Sequence, residues 1–265
     1  MQLPGPGYLL FGAGMAGLGL LSLLYGDFAL SWQPVPDWVP WRAPLAYASG
    51  VMLFASGIGM LIRRTARYAS LILTVNLLVW LLLLEVPRVL AAPGFEAAWL
   101  GVGETLVLVA GGWISLSSVS TSSDKWVPAF AAGGEGSRLA RLLFAVGLPM
   151  IGLSHFVYID QTVGFVPAWL PERRALGYLT GAGHIAAGIA LLFSIVPRLA
   201  ATLEAAMMSS FVLLIHVPGV VAAPRDRLQW TMLCVATAIT GSGWSVARSV
   251  ARASSRFGLE GQRVQ

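Results

Sequence analysis

The chain has 265 residues, of which 57% are hydrophobic and only 11% are charged. A soluble domain has about 45–50% apolar and about 25% charged residues, so this composition excludes an ordinary soluble enzyme and a disordered chain. Its one cysteine, Cys234, excludes a disulfide-bonded scaffold and a protein dithiol. The formal charge of +5 comes from arginines between apolar segments, which is typical of topology-setting charge and not of a nucleic-acid-binding surface.

Eight apolar segments follow one another along the chain, each with about the 20 residues that a helix needs to cross roughly 30 Å of hydrocarbon. Backbone groups in lipid must be hydrogen-bonded within their own segment, which predicts helices for all eight. No positive charge precedes the first segment, so we interpret it as a retained helix and not as a signal peptide. The predicted spans are Tyr8–Leu24, Leu45–Ile62, Tyr68–Leu84, Ala98–Leu116, Leu142–Val157, Ala175–Val196, Leu199–Ile215 and Gln229–Val246.

An internal repeat relates the two halves of the chain. With a shift of 131 positions and no gap, Val35–Pro40 aligns with Val166–Pro171, and Leu83–Pro87 aligns with Leu214–Pro218. Hydrophobic composition alone does not place Pro, Trp, Tyr and Arg in register, so the alignment indicates a duplicated four-helix unit. We therefore predict an all-α membrane protein with eight transmembrane helices arranged as two parallel four-helix repeats. An even number of helices per unit puts the axis that relates the repeats along the membrane normal.

The same alignment sets the predicted domains and orientation. Residues 1–118 form the first repeat, residues 119–138 a flexible cytoplasmic linker rich in Ser and Gly, and residues 139–265 the second repeat with a short basic C-terminal tail. Lys and Arg are more numerous on the face that carries the linker and both termini. The positive-inside rule then places both termini in the cytoplasm and the Trp- and Pro-rich loops outside.

The motifs at the outer ends of the helices recur in both copies. Each copy has a small cluster after its first helix, Tyr25-Gly-Asp27 or His155 to Asp160, and then a Pro-x-Trp-x-Pro stretch. Each third helix ends in Glu85-Val-Pro or His216-Val-Pro. This pattern resembles the DoxX-like family of four-helix membrane proteins, although most members have a single unit and this chain has two.

The resemblance implies a subunit or accessory of a quinone-linked membrane redox system in a bacterial or archaeal cytoplasmic membrane. Quinone is the ligand it suggests, the lipid bilayer and other redox-complex subunits are the partners, and nucleic acid is not one. Whether the chain is itself an enzyme stays open. Aromatic side chains near the predicted outer interface are the candidates to line a quinone site: Trp38, Trp169, Tyr47 and Tyr178.

Ionisable residues within the predicted spans are a second group of candidates, because such residues are costly in lipid. His184 and Glu104 are candidate ligand-binding residues. The alternative for His184 is a packing role, and the alternative for Glu104 is an interhelical hydrogen bond. Glu204 is near the cytoplasmic end of its span, and we interpret it as extending its carboxylate to the interface. The stretch Gly12-Ala-Gly-Met-Ala-Gly17 matches a dinucleotide-binding fingerprint but lies within an apolar span, so we interpret its glycines as helix-packing residues.

Glu85 and His216 are equivalent in the repeat, and the proline two residues later cannot donate the hydrogen bond of a continuing helix. We expect each to cap or interrupt its third helix, with Asp27 or Asp160 of the first helix approaching it. The candidate catalytic residues are therefore His216, Glu85, His155, Asp160 and Asp27. Imidazole titrates near neutral pH, which favours the His216 site, joined by His155, as the active one. The alternative is that these residues only anchor loops at the interface.

The three histidines do not form a spaced pair on one helix, and no Cys-x-x-Cys-His occurs. We therefore predict no metal site and do not expect haem. Two other functions stay open. One is a transport or lipid-binding protein with a site between the repeats, which a polar cavity reaching Glu104 or His184 would favour. The other is a non-catalytic membrane scaffold, which a waterproof apolar seam between the repeats would favour.

Overall fold

The structure of the protein, a computed structural model, describes the backbone of residues 5–263 and the side chains of residues 5–253. The predicted basic C-terminal tail, with Arg256 and Arg263, lies outside the described side chains. The described residues form helices and loops with no strand. The helices are α1 (Pro6–Tyr25), α2 (Arg42–Leu61), α3 (Ala66–Trp80), α4 (Val86–Ala91), α5 (Glu96–Val119), α6 (Gly133–Val157), α7 (Ile159–Phe165), α8 (Arg173–Leu192), α9 (Pro197–Phe211), α10 (Val217–Ala222) and α11 (Arg227–Arg263).

Two turns of π-helix join four of these helices. π1 (Leu81–Glu85) connects α3 to α4, and π2 (Val212–His216) connects α9 to α10, so each pair forms one continuous helical segment. Within the described part of the chain, seven helical segments are long and apolar enough to cross a membrane. The protein is therefore an integral membrane protein. The seven segments are Pro6–Tyr25, Arg42–Leu61, Ala66–Ala91, Glu96–Val119, Gly133–Val157, Arg173–Leu192 and Pro197–Ala222.

The eighth predicted span lies within α11, which is not among those seven segments. Thr, Ser and Gly interrupt its apolar sequence. α11 packs against α1, α5 and α9, and a helix enclosed by other helices needs less apolar surface than one that faces lipid. Its two ends lie at opposite ends of the bundle, because Arg227 pairs with Asp27 after α1, whereas Trp244 to Ala253 lie beside the first turn of α1.

Four helices, α1, α5, α6 and α11, form the centre of the bundle, and the others pack around them. α1 packs against α2 and α11, and α6 packs against α8 and α5. α5 and α11 also contact each other, and they contact α3 and α9 respectively. We call the end of the bundle with Gly5, Val119 and Gly133 the inner face and the opposite end the outer face. Large apolar side chains such as Leu82, Leu179 and Leu213 are exposed around the periphery, where lipid would cover them.

Glycines allow the central helices to approach closely. A Cβ atom at Gly12 would lie 3.0 Å from the carbonyl oxygen of Gly57 on α2, and one at Gly14 would lie 2.6 Å from the carbonyl oxygen of Cys234 on α11. A Cβ at Gly17 would meet the Sγ atom of Cys234. The helix-packing interpretation of the Gly12–Gly17 stretch is therefore confirmed.

Because of the π turns, the third helix of each predicted copy is longer than the sequence predicts. The predicted spans end at Leu84 and Ile215, before the prolines, whereas both helices continue for about two more turns, to Ala91 and Ala222. Pro87 and Pro218 each follow a π turn by two residues. The wider turn accommodates a residue that has no N–H to donate, so the helix continues through the proline and does not stop.

The segment between Val119 and Gly133 is packed against the bundle, although its composition predicts a flexible linker. Val127, Ala131 and Ala132 are buried in a cluster with Leu116. The indole of Trp113 donates a hydrogen bond to the Ala131 carbonyl at 3.1 Å. α6 begins at Gly133, inside the predicted linker. These small apolar residues pack the otherwise polar segment against the end of α5.

Candidate functional site

A buried pair of polar side chains links two helices in the second half of the chain. His184 is on α8 and Glu204 is on α9, and His184 Nδ1 lies 2.8 Å from Glu204 Oε1. Both residues are only 1% exposed. The other polar atoms, His184 Nε2 and Glu204 Oε2, are buried without a hydrogen-bond partner among the described residues. Each side chain therefore retains one unused hydrogen-bonding atom away from water.

His155 on α6 extends this pair towards the outer face. Its ring centroid lies 5.3 Å from that of His184, in an edge-to-face arrangement. His155 Nδ1 lies 3.0 Å from Thr180 Oγ1, and the Thr180 hydroxyl donates to the Leu176 carbonyl. The Gly177 carbonyl oxygen lies 3.4 Å from the same His155 Nδ1 atom. His155 is partly exposed, in contrast to His184.

Phe211, the last residue of α9, covers both imidazole rings. Its ring centroid is 6.3 Å from that of His155, in a stacked arrangement, and 6.0 Å from that of His184. His216 lies five residues further along the same helical segment, at the end of π2. Its Nδ1 atom is buried without a partner. The described residues around the cluster therefore leave polar atoms of three different side chains unpaired.

A close helix crossing sets the distance between the two imidazoles. A Cβ at Gly152 of α6 would lie 2.6 Å from the Gly181 carbonyl oxygen of α8, and one at Gly181 would lie 2.7 Å from the Cβ of His155. A Cβ at Gly152 would also lie 3.1 Å from the Cβ of His184. Two facing glycines thus bring α6 and α8 together where the two histidines project.

The three side chains form a compact cluster in the interior of the bundle. His155 is the third residue from the outer end of α6, and Glu204 is the eighth residue from the inner end of α9. A helix rises about 1.5 Å per residue, so Glu204 lies roughly 10 Å from the inner end of its helix. Within the cluster, His155 is therefore on the side of the outer face and Glu204 on the side of the inner face.

At the positions 131 residues earlier in the chain, the pair is apolar. Leu53 stands where His184 does, and Leu73 stands where Glu204 does. Both leucines are fully buried, on α2 and α3. The same helix environment is thus filled by hydrocarbon in the first half of the chain and by a polar pair in the second.

A second polar group lies near the outer face of the first half. Glu85 at the end of π1 is buried and accepts a hydrogen bond from Arg88 at 2.8 Å. Glu104 on α5 accepts one from the indole of Trp32 at 2.9 Å, and Trp32 packs edge-to-face on Trp80. Glu85 and Glu104 thus each have a donor, whereas both carboxylate oxygens of the nearby Glu96 are buried without a partner among the described residues. The donor to Glu104 comes from the loop after α1 and not from another helix.

The remaining predicted site residues are held by arginines or lie at the surface. Asp27 pairs with Arg42 at 3.0 Å and with Arg227 at 3.5 Å, and Asp160 pairs with Arg174. These ion pairs connect Asp27 and Asp160 to arginines and not to Glu85 or His216. The four aromatic candidates for an outer site are all exposed: Trp38, Trp169, Tyr47 and Tyr178. Of these, Tyr178 stacks on Phe156 with centroids 5.5 Å apart.

Across the described part of the chain, no group of three or more His, Cys, Asp or Glu side chains is arranged to hold a metal ion.

A cavity of about 830 Å³ opens on the inner face between the central helices. It is lined by the first turn of α1, the last turns of α5, the first turns of α6 and the inner part of α11. It is separate from the histidine cluster, since the lining includes Thr202 of α9 but none of the three clustered side chains.

The sequence alone did not pair Glu204 with His184. Glu204 was expected to reach the inner interface, but it is buried and bonded to His184. Helical periodicity within one span cannot identify the partner on another helix. The repeat did contain a signal, because both residues replace leucines at matched positions of adjacent helices.

Among protein families, residues 144–240 match the one described as "Domain of unknown function (DUF8561)". The matched region runs from α6 into α11 and includes His155, His184, Glu204 and His216. No curated protein matches the chain. No solved structure matches it either.

Proposed function

We propose that this integral membrane protein consists of two four-helix repeats similar to DoxX-like proteins, and that the second repeat exchanges protons with a membrane-dissolved ligand. The ligand would reach His155 from the outer half of the membrane, and His184 and Glu204 would supply or remove its proton. A quinone is the ligand class that the sequence resemblance suggests. The single observation that carries the proposal is the buried His184–Glu204 pair where the first repeat has two leucines.

The helix boundaries support the two repeats. α2 and α8 both have 20 residues and begin 131 positions apart, at Arg42 and Arg173. π1 and π2 are also 131 positions apart. Packing follows the same rule: α1 contacts α2 and α11, and its counterpart α6 contacts α8 and α5.

For the first helix of each repeat, the glycine contacts favour a shift of 133 positions between the repeats, whereas the other helices have a shift of 131. Gly14 lies against Cys234 and Ala238, and Gly147 lies against Gly103 and Val107, which are the equivalent positions. Gly14 and Gly147 are 133 positions apart, so two residues are inserted in the loop after α1 relative to the loop after α6. The same shift matches Asp27 with Asp160 and places Ser22 at the position of His155.

Stability does not account for the His184–Glu204 pair. Burying two ionisable groups has a desolvation cost that a well-packed apolar pair avoids, and replacing buried ion pairs by apolar residues is often neutral or stabilising. The first repeat contains such an apolar pair, Leu53 and Leu73. A polar pair at this depth is therefore best explained by function, and chains of His and Glu within a bundle are typical of proton relays.

The chemistry of a quinone fits the cluster. A quinone oxygen is a hydrogen-bond acceptor, and its reduction to a quinol takes up two electrons and two protons. In the proposed reaction an imidazolium at His155 gives a proton to a quinone oxygen, and His184 and Glu204 return a proton from water to His155. Two such transfers supply both protons of the quinol. The electrons would come from a redox partner subunit. Phe211 and the Phe156–Tyr178 stack supply aromatic surface beside His155.

Photoaffinity labelling of the full chain in lipid nanodiscs tests this proposal. A photoreactive azidoquinone is expected to label peptides of α6, α8 or α9 near His155. The His184→Leu/Glu204→Leu double variant reproduces the first repeat, so it should stay folded, and we expect it to lose labelling at least tenfold. His155→Phe keeps the aromatic contact with Phe211 and should lose labelling as well.

The matched control is the Leu53→Met/Leu73→Met variant, which changes the same two positions of the first repeat without adding charge. It should label as the wild type does. Equal labelling of all folded variants, or labelling confined to other helices, would overturn the quinone site and leave a scaffold role.

A further inference from the structure

The inner-face cavity is rich in positive charge. Four arginines line it, Arg138 and Arg141 of α6 and Arg248 and Arg252 of α11. They are spaced by three residues on α6 and by four on α11, so each pair lies on one side of its helix. None of the described residues that line the cavity is Asp or Glu.

Packing positions two of these guanidinium groups. Arg141 donates a hydrogen bond to Ser249 Oγ at 2.8 Å, which connects α6 to α11. The Arg248 guanidinium lies directly over Gly5, where any Cβ atom would overlap it. The absence of a side chain at Gly5 leaves room for this guanidinium group.

Two helices also begin at the cavity. The first residues of α1 and of α6 line it, so the positive ends of these two helix dipoles are on its side. The last turn of α5 borders it too, but Ser115, Ser117 and Ser118 donate their hydroxyls to α5 carbonyls there. The described residues that line the cavity thus contribute positive side-chain charge and no negative side-chain charge.

The positive-inside rule alone does not explain why these four arginines lie together. At the matched positions the first repeat has Gly5, Tyr8, Ser117 and Thr121. The second repeat thus supplies all four arginines, and all four line one cavity between the repeats. The positive-inside rule requires basic residues near the inner interface, and exposed arginines such as Arg63 and Arg64 meet it without converging on a cavity.

We propose that this cavity binds the phosphate group of an anionic ligand, either an anionic phospholipid head group or a soluble phosphate ester. The planar guanidinium group binds phosphate through two parallel hydrogen bonds, and basic pockets between transmembrane helices on the inner side bind anionic lipid head groups. Trp244 lines the same cavity and offers aromatic surface to the rest of the ligand. This site is separate from the histidine cluster and does not depend on the proton-transfer proposal.

Native mass spectrometry of the full chain distinguishes the two sources of phosphate. The protein is released from nanodiscs of phosphatidylcholine alone, or of phosphatidylcholine with phosphatidylglycerol or cardiolipin. If the ligand is a lipid, we expect the anionic lipid to stay bound to the wild type. If the ligand is soluble, we expect glycerol phosphate to raise Tm in phosphatidylcholine nanodiscs and no anionic lipid to be retained.

The Arg138→Gln/Arg141→Gln and Arg248→Gln variants should lose at least tenfold in binding of whichever ligand is found. Arg138→Lys/Arg141→Lys keeps the charge and should recover part of it. The matched control, Arg63→Gln/Arg64→Gln, removes two charges from the same face outside the cavity and should bind as the wild type does. Equal loss in control and cavity variants, unchanged binding in folded cavity variants, or retention of phosphatidylcholine as strong as that of the anionic lipids, would overturn the proposal.

Discussion

At the scale of residues, the His184–Glu204 pair makes a stability prediction. Replacing only Glu204 by Leu leaves His184 buried without a partner, and breaking a buried pair in this way costs about 3–5 kcal/mol. The double variant with leucine at both positions removes that unpaired group. We expect its free energy of unfolding to lie within about 1 kcal/mol of that of the wild type, because Leu53 and Leu73 are fully buried at the matched positions. Chemical or thermal unfolding in detergent measures the full double-mutant cycle.

A double variant as unstable as the two single variants summed would contradict this prediction. It would mean that His184 and Glu204 contribute independently, each through contacts other than the one between them. The single variant His184→Leu, which leaves Glu204 buried alone, supplies the remaining corner of the cycle.

Glu85 and His216 make a second prediction at this scale. Glu85 is paired with Arg88, whereas His216 has an unpaired buried Nδ1 atom. If His216 takes part in the proposed site, His216→Gln should reduce azidoquinone labelling severalfold in folded protein. Glu85→Gln should leave labelling unchanged, because the group around Glu85 lies in the other repeat. Loss of labelling in both variants, or in neither, would show that the two copies have not diverged in this respect.

The sequence was informative about which residues are unusual and uninformative about their partners. His184 and Glu104 were identified from their cost in lipid, and Glu104 has a side-chain donor from a loop 72 residues earlier. The approach of Asp27 to Glu85 was inferred from chain ends alone. An arginine from the start of α11, 200 residues away, pairs with Asp27 instead. Such partners depend on how helices rotate and pack, which a single span does not encode.

At the scale of helices, the crossing of α6 and α8 can be tested directly. Gly181→Ala would place a Cβ 2.7 Å from the Cβ of His155 and 2.9 Å from the Gly152 carbonyl oxygen, so the helices must separate. We expect a destabilisation of about 1–3 kcal/mol and a loss of azidoquinone labelling beyond the loss of folded protein. Gly164→Ala on α7 is the control, because a Cβ there would meet no atom within 4 Å. Equal stability of both variants would contradict the close crossing.

The helix ends show where local sequence rules and the fold diverge. Prolines predicted an interruption at Glu85 and His216, and the interruption is a π turn within a longer helix. Local rules identify the residue that lacks a donor but not whether the helix widens or ends. Packing of Val89 and Val220, both buried beyond the prolines, stabilises the continued helix. The sequence therefore predicted where the α-helix is interrupted in both halves of the chain, but not that each interruption is a π turn.

At the scale of the whole molecule, the two proposed repeats share a scaffold and differ in polarity. The first and last helices of each repeat form the centre, so contacts between the repeats are helix to helix along the whole depth. Asp27 of the first half and Arg227 of the second join them at the outer face, and Arg227 also lies over the Tyr25 ring. The second half contains the histidine cluster and the four cavity arginines. If the two halves are repeats as proposed, divergence of the second copy accounts for the presence of both polar features in that half.

The orientation of the molecule gives the last prediction. Asp37 is fully exposed in the loop between α1 and α2, and Ser123 is exposed in the segment between α5 and α6, at the opposite end of the bundle. In a Cys234→Ala background, each position is replaced by cysteine and intact cells are treated with a membrane-impermeant maleimide. The excess of Lys and Arg on the inner face predicts that Asp37→Cys is labelled in intact cells and Ser123→Cys only after permeabilisation. Labelling of Ser123→Cys in intact cells, with Asp37→Cys protected, would invert the topology. The histidine cluster would then extend towards the cytoplasm, and the arginine cavity would face the opposite leaflet.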